Sequence, residues 1–153
     1  MKIISHRGNV NGPNVEFENS ASYIESAIKL GFDVEVDIWK INNELYLGHD
    51  MPQYKVTLDW IINYYDCLWV HCKNIEAFVY FKSIENKENR INFFWHENDT
   101  LTLTSLGYIW AFPGKQPIHN SIGVLPELFN DELDVCSGIC TDYPYKFKKN
   151  ESI

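Results

Sequence analysis

Two carboxylates on alternate positions of an apolar run are the first residues in this chain that ask for a chemical explanation. In Val34-Glu35-Val36-Asp37-Ile38, apolar and acidic residues alternate. A strand has a side-chain period of two, so Glu35 and Asp37 share one face, about 7 Å apart along it. Carboxylates fixed side by side repel one another unless a cation or a buried proton lies between them. Asn42-Asn43 reads as a turn, strand-like alternation resumes at Glu44-Leu45-Tyr46-Leu47, and Gly48-His49-Asp50 follows. Near the start, Ile3-Ile4-Ser5 runs into His6-Arg7-Gly8. One hairpin thus delivers a carboxylate pair and an imidazole, and the first strand ends in a second imidazole and a guanidinium. As hard oxygen donors, Glu35 and Asp37 suit Mg²⁺ or Ca²⁺.

The elements that must position these residues follow from punctuation and period. Lys2–Ser5 reads as a strand and 9–14 as a Gly/Pro/Asn-rich loop. Asn19 or Ser20 can cap a helix with apolar residues at Ala21, Ile24, Ala27 and Ile28, stopped by Gly31. The Glu35 strand then completes a β-α-β unit, which favours parallel pairing. Thr57 can cap a helix through Leu58, Ile61, Ile62 and Tyr65, and Leu68–Cys72 is the next strand. Asn74 caps a helix bearing Ile75, Phe78 and Val79, and Asn92–Trp95 forms a fourth strand. Beyond it the helical signals fade. Leu101–Leu103 reads as a short strand or a turn of helix, Pro126-Glu127 opens a short helix to about Asn130, and Tyr108–Phe112, Ser121–Leu125 and Gly138–Thr141 read as strands.

Ionisable residues close strand after strand: His6-Arg7, Asp37, His71 with Lys73, His96-Glu97, Lys115, Glu127 and Asp142. In parallel α/β folds the carboxyl edge of the sheet is where sites are built. With 153 residues the whole chain, 1–153, reads as one domain. Barrels of this class usually need about 200 residues or more, so the second half must use connections stripped of helices.

Composition narrows the functional classes. Aromatic residues make up 15% of the chain, which suits packed sheet faces and apolar pocket walls. A formal net charge of -8 argues against nucleic-acid binding, and basic residues cluster only in the tail at Lys146–Lys149. No apolar run reaches the roughly 20 residues of a membrane span. No secretory signal is visible after Met1-Lys2, so the expected compartment is cytoplasmic. Cys67, Cys72, Cys136 and Cys140 lack CxxC spacing and read as reduced thiols, two of them within strands, ahead of a structural zinc site.

Taken in order, His6-Arg7-Gly8, Glu18-Asn19-Ser20, Glu35-Val36-Asp37, Gly48-His49-Asp50 and Thr141-Asp142-Tyr143-Pro144 resemble the motifs of the glycerophosphodiester phosphodiesterase family. The resemblance is dense over residues 1 to about 52 and thin beyond. It implies a (β/α) TIM-type barrel, here pared down, with short or missing helices in the second half. It also implies metal-dependent phosphodiester hydrolysis in lipid metabolism, kinship with phosphatidylinositol phospholipase C-like enzymes, and a small-molecule phosphodiester substrate. In those enzymes a neighbouring hydroxyl of the substrate can attack first, giving a cyclic phosphate.

The chemistry needs charge neutralised on phosphate oxygens, one proton removed and one supplied. Resemblance and residue chemistry agree on His6 and His49 as acid and base, Arg7 as a phosphate ligand, and Glu35 and Asp37 as metal ligands. Lys73 adds a point charge. The family's third-strand Glu-x-Lys is here His71-Cys72-Lys73. His71 can ligate from the Lys73 face, which weakens Mg²⁺ or Ca²⁺ and favours Mn²⁺ or Zn²⁺; Glu97 or Glu127 can instead supply an oxygen. Two alternatives stay open: a non-catalytic relative that binds a phosphorylated ligand, and a His-rich Zn²⁺ or Mn²⁺ hydrolase using His6, His49, His71 and His96. Apolar strand faces at Ile109, Val124 and Ile139 further suggest a homo-oligomer.

Overall fold

The strand bearing Glu35 and Asp37 is the longest among the described residues, and three neighbours share its edges. The computed structural model describes residues 1–84 and 90–148. This strand, β2 (Asp33–Ile41), follows β1 (Lys2–His6) and α1 (Ala21–Lys29). It turns through Asn42 and Asn43, at φ 47° and 67°, into β3 (Glu44–Leu47). A two-residue turn with both φ positive matches the twist of a hairpin, and asparagine tolerates that region well. Next come β4 (Tyr54–Val56), α2 (Leu58–Asn63), β5 (Leu68–Cys72), α3 (Ile75–Ile84) and β6 (Asn92–Phe94). The remainder is β7 (Leu101–Leu103), β8 (Ile109–Ala111), β9 (Ser121–Val124), a 3-10 turn at Pro126–Leu128, β10 (Gly138–Thr141) and α4 (Pro144–Lys148).

The expected (β/α) barrel is not what forms. The strands make one curled, half-barrel sheet of mixed direction. Its main path runs β4-β3-β2-β1-β10-β9-β8-β7, with β5 on the other side of β2 and β6 beyond it. Seven strands (β6, β5, β2, β1, β10, β9 and β8) run parallel, whereas β3, β4 and β7 pair antiparallel. Among the described residues there are four α-helices, and none lies between β6 and β10. The reason is connection length. The β8–β9 link, 112–120, is shorter than the dozen or so residues a helical crossover requires, and β7 reverses into β8 by a tight turn.

Alternation along each strand sorts the core into two faces. On the convex face Val34, Val36, Ile38, Val70 and Phe93 pack against Ile24, Ile61, Ala77 and Phe81 of the three early helices. On the concave face Ile4, Trp69, Phe94, Trp110, Ile122, Val124 and Cys140 form a separate apolar layer. Full burial of one such large side chain contributes about 1.5–3 kcal/mol. The helix starts obey local capping: Thr57 Oγ1 accepts from Trp60 N at 3.1 Å, and Asn74 Oδ1 from Ala77 N at 3.2 Å. β4 and α4 carry no periodic signal in the sequence and are additions to the expected order. Leu101–Leu103 is a strand.

The apolar faces offered as grounds for an oligomer are largely covered within the chain, with Val124 and Ile139 buried. All four cysteines are free thiols, and Cys72 and Cys140 are buried in strands as expected. Of the basic tail, Lys149 lies outside the described residues. No helix among the described residues is long and apolar enough to cross a membrane.

Candidate functional site

Register places the chemistry. β1 and β2 pair with His6 opposite Glu35, and β2 and β5 pair with Asp37 opposite His71. Because neighbours in register project to the same side, His6, Glu35, Asp37 and His71 all enter the concave face at its carboxyl edge. His6, Arg7, Glu35, Asp37, His49, His71 and His96 line one cavity of about 180 Å³, together with Trp110 and Phe112. A second groove, about 330 Å³, adjoins it and shares Arg7 and His49. Lys73 is not on the cavity lining, but its Nζ lies 3.5 Å from Asp37 Oδ1.

Asp37 is the hub. It is 1% exposed. Its Oδ1 accepts from His71 Nδ1 at 2.9 Å, and its Oδ2 accepts from Asn19 Nδ2 at 2.9 Å. Arg7 Nε lies 3.1 Å from Oδ2 as an ion pair without hydrogen-bond alignment. Burial by itself would push this carboxyl up; the His71 hydrogen bond and the charges of His71, Arg7 and Lys73 outweigh it and hold Asp37 well below the usual carboxylate range. Glu35 goes the other way. Burial first, then the Asp37 charge, raise its pKa. Its Oε2 is buried with no hydrogen-bond partner. One carboxylate is therefore held ionised while the other is left wanting a proton or a cation.

Glu35, Asp37 and His71 each offer a donor atom, all within 4.8 Å of one another, and the three could hold a metal ion. The unpartnered Glu35 oxygen and the mixed O,O,N donor set fit a divalent cation. Glu97 and Glu127 do not complete this set. Glu97 is exposed, and Glu127 Oε1 accepts from Thr141 Oγ1 at 2.9 Å and from the Asp142 amide at 3.1 Å.

The two histidines differ in surroundings. His6 Nδ1 lies 2.8 Å from Asp142 Oδ1, which also accepts from Asn9 Nδ2 at 2.8 Å. Burial disfavours the imidazolium, but the Asp142 hydrogen bond and the Glu35 charge reverse the balance, so the pKa of His6 is raised. His49 sits on the loop after β3, its Nδ1 2.7 Å from Asp50 Oδ1. Partial burial leads, and its pKa is lowered. The loop is set by Gly48 at φ +144°, where a Cβ would lie 2.1 Å from the Met51 carbonyl oxygen. Trp39 Nε1 donates to the Gly48 carbonyl at 2.7 Å.

Several positions differ from expectation or were missed. Asp50 pairs with His49. Of the two cap candidates Ser20 starts α1, and Asn19, at φ 62° and 1% exposed, clamps Asp37 from both sides, since Asp37 N also donates to Asn19 Oδ1 at 2.9 Å. Glu18 accepts from Arg7 Nη1 at 3.2 Å and from Asn9 Nδ2 at 2.8 Å, fixing the guanidinium. The sequence assigned neither Asp142 nor the loop residue Asn9 a role, because only the β1–β10 pairing brings the two ends of the chain together. His96 stands in the wall, its ring parallel to that of His71 with centroids 4.4 Å apart, and burial followed by the His71 charge brings its pKa down to about 4. His119 is exposed, as a polar-loop residue should be.

No family model matches this chain, and neither a curated protein nor a solved structure matches it.

Proposed function

We propose that this chain hydrolyses phosphodiesters of the glycerophosphodiester type with the help of a divalent cation. One observation carries the reading: two histidines with pKa values pushed in opposite directions face the same small cavity as a cation-ready carboxylate pair and an arginine. Environments that split two titratable groups in this way assign an acid and a base.

In this reading Glu35, Asp37 and His71 hold the cation, and the resemblance implies Mg²⁺ or Ca²⁺. When bound, it neutralises charge on a non-bridging oxygen and polarises phosphorus. Arg7, oriented by Glu18 and Asp37, presents its remaining N–H groups to the phosphate. His6, weighted toward the imidazolium with Nδ1 committed to Asp142, offers Nε2 as the proton donor to the leaving oxygen. His49, weighted toward neutral imidazole with Nδ1 toward Asp50, offers Nε2 to take the attacking hydroxyl's proton. The roles reverse if a cyclic phosphate is then opened by water. The adjoining groove gives the alcohol groups room.

The test is turnover of bis(p-nitrophenyl) phosphate and of glycerophosphodiesters with Mg²⁺, Ca²⁺, Mn²⁺ or Zn²⁺ and with chelator. Metal-dependent hydrolysis abolished in both His6→Ala and Glu35→Ala is the expected result. The competing reading is a protein that only binds a phosphorylated ligand. It is favoured by one observation: Arg7 and Lys73 are already drawn toward Asp37. A folded protein with no turnover on any metal would decide for ligand binding alone.

A further inference from the structure

The third corner of the carboxylate cluster is an imidazole whose orientation is fixed by other rings. His71 Nδ1 lies 2.9 Å from Asp37 Oδ1 and 3.8 Å from Glu35 Oε1, so this nitrogen, and not a carboxylate, faces the gap between the two acids. The His71 ring runs within 3° of parallel to Phe94 and within 5° of parallel to His96, with centroids 5.2 and 4.4 Å away. His96 in turn meets the edge of Phe112 at 4.6 Å and 82°. A ring packed in this way cannot swing its Nδ1 out of the cluster without unstacking.

Oxygen donors are correspondingly scarce. Both oxygens of Asp37 already have partners, Glu127 stands outside the cluster with Oε1 held by Thr141 and the Asp142 amide and Oε2 buried without a partner, and Glu97 is exposed. Ca²⁺ takes about six to eight oxygen ligands, and Mg²⁺ holds its waters and favours carboxylates. Two carboxylates with one imidazole and an open position make a set suited to Zn²⁺ or Mn²⁺.

We propose that this site ranks Zn²⁺ and Mn²⁺ above Mg²⁺ and Ca²⁺, that His71 Nδ1 is the third ligand, and that His96 is a positioning residue that fixes the His71 ring by stacking. The ligand is the neutral imidazole, with the cation on Nδ1 and the ring's one proton on Nε2. The inference rests on the metal site of the proposed function but not on turnover.

The experiment is equilibrium binding of each of the four cations to chelator-treated, folded protein, with Co²⁺ as a spectroscopic stand-in whose visible absorption reports ligand type and geometry. Wild type should bind Zn²⁺ and Mn²⁺ at least about tenfold more tightly than Mg²⁺ and Ca²⁺. His71→Glu should collapse or reverse that ranking while the far-ultraviolet spectrum stays native. His96→Ala should weaken Co²⁺ and Zn²⁺ by about 10- to 100-fold and alter the Co²⁺ bands, as loss of an orienting neighbour does. His96→Phe, which restores a flat ring without a nitrogen, should recover both. Equal or tighter Mg²⁺ or Ca²⁺ binding in wild type, or no binding of any cation, would overturn the ranking. Failure of His96→Phe to recover the spectrum would overturn the positioning role. A Mg²⁺ or Ca²⁺ preference would leave phosphodiester hydrolysis standing, and a Zn²⁺ preference without turnover would leave this inference standing.

Discussion

Replacing Asn19 should reveal how much of the site's order rests on one amide. Its side chain makes two hydrogen bonds to the same buried aspartate, one to the carboxylate and one from the backbone amide, each 2.9 Å long. A bond to an ionised group contributes about 1.5–3 kcal/mol, and a buried amide left without an acceptor costs about 1–3 kcal/mol. Asn19→Gly removes both bonds but keeps a residue that accepts φ 62°, so it should destabilise by about 3–5 kcal/mol. Asn19→Ala should lose about 1 kcal/mol more, from the left-handed backbone. Asn19→Asp is the sharpest probe. It preserves shape but sets a carboxylate oxygen where an N–H now meets Asp37, so it should be the least stable near neutral pH and should recover as acid protonates it. Urea unfolding followed by fluorescence of the five tryptophans measures all three. The reasoning fails if Asn19→Gly costs less than about 1 kcal/mol, or if Asn19→Asp is no worse than Asn19→Ala at neutral pH.

Three further perturbations separate the parts of the site. Gly48→Ala should cost about 2–4 kcal/mol in urea unfolding, because a Cβ there meets the Met51 carbonyl at 2.1 Å, and turnover should fall by about 100-fold as His49 is displaced, with cation binding retained. Glu127→Ala should lower kcat with little change in KM, since it frees the Asp142 amide and loosens His6; an unchanged pH–rate profile would remove Glu127 from the positioning chain. The His6–Asp142 pair should impose a pH window on stability. His6, raised above 6.5, stabilises fully below that value and loses its contribution as pH rises through its folded pKa. Asp142, lowered below 3.8, stabilises above that value and loses its contribution as pH falls through its folded pKa. Unfolding midpoints across the acid and neutral range should peak between the two and flatten in Asp142→Asn; an unflattened profile would mean the pair contributes nothing.

What could be read ahead of the structure was local. Strand period alone put Glu35 and Asp37 on one face, paired asparagines marked the hairpin, and Thr57 and Asn74 marked helix starts. Sheet closure was not local. Short helix-free links after β6 were legible, but their consequence, a mixed curled sheet, depends on which edges pair. The same limit hid Asn9 and Asp142, whose work depends on a strand pairing across nearly the whole chain. Of the two cap candidates Ser20 is the one that caps α1; Asn19 as a helix cap and as a left-handed clamp obeys the same preferences, and only burial beside Asp37 distinguishes them.

The pairing of β1 with β10 also has a temporal consequence. Lys2 is in register with Gly138 and Ser5 with Thr141, so the strand that carries His6 lacks one neighbour until nearly the last of the described residues has been synthesised. Contacts this distant in sequence carry a large loop-closure cost and form late. On a ribosome, β1, α1, β2 and β5 can assemble the carboxylate cluster first, while His6 waits without Asp142. On the proposed function, cation binding should therefore mature before proton transfer, and a nascent or C-terminally clipped chain should hold metal without turning over substrate.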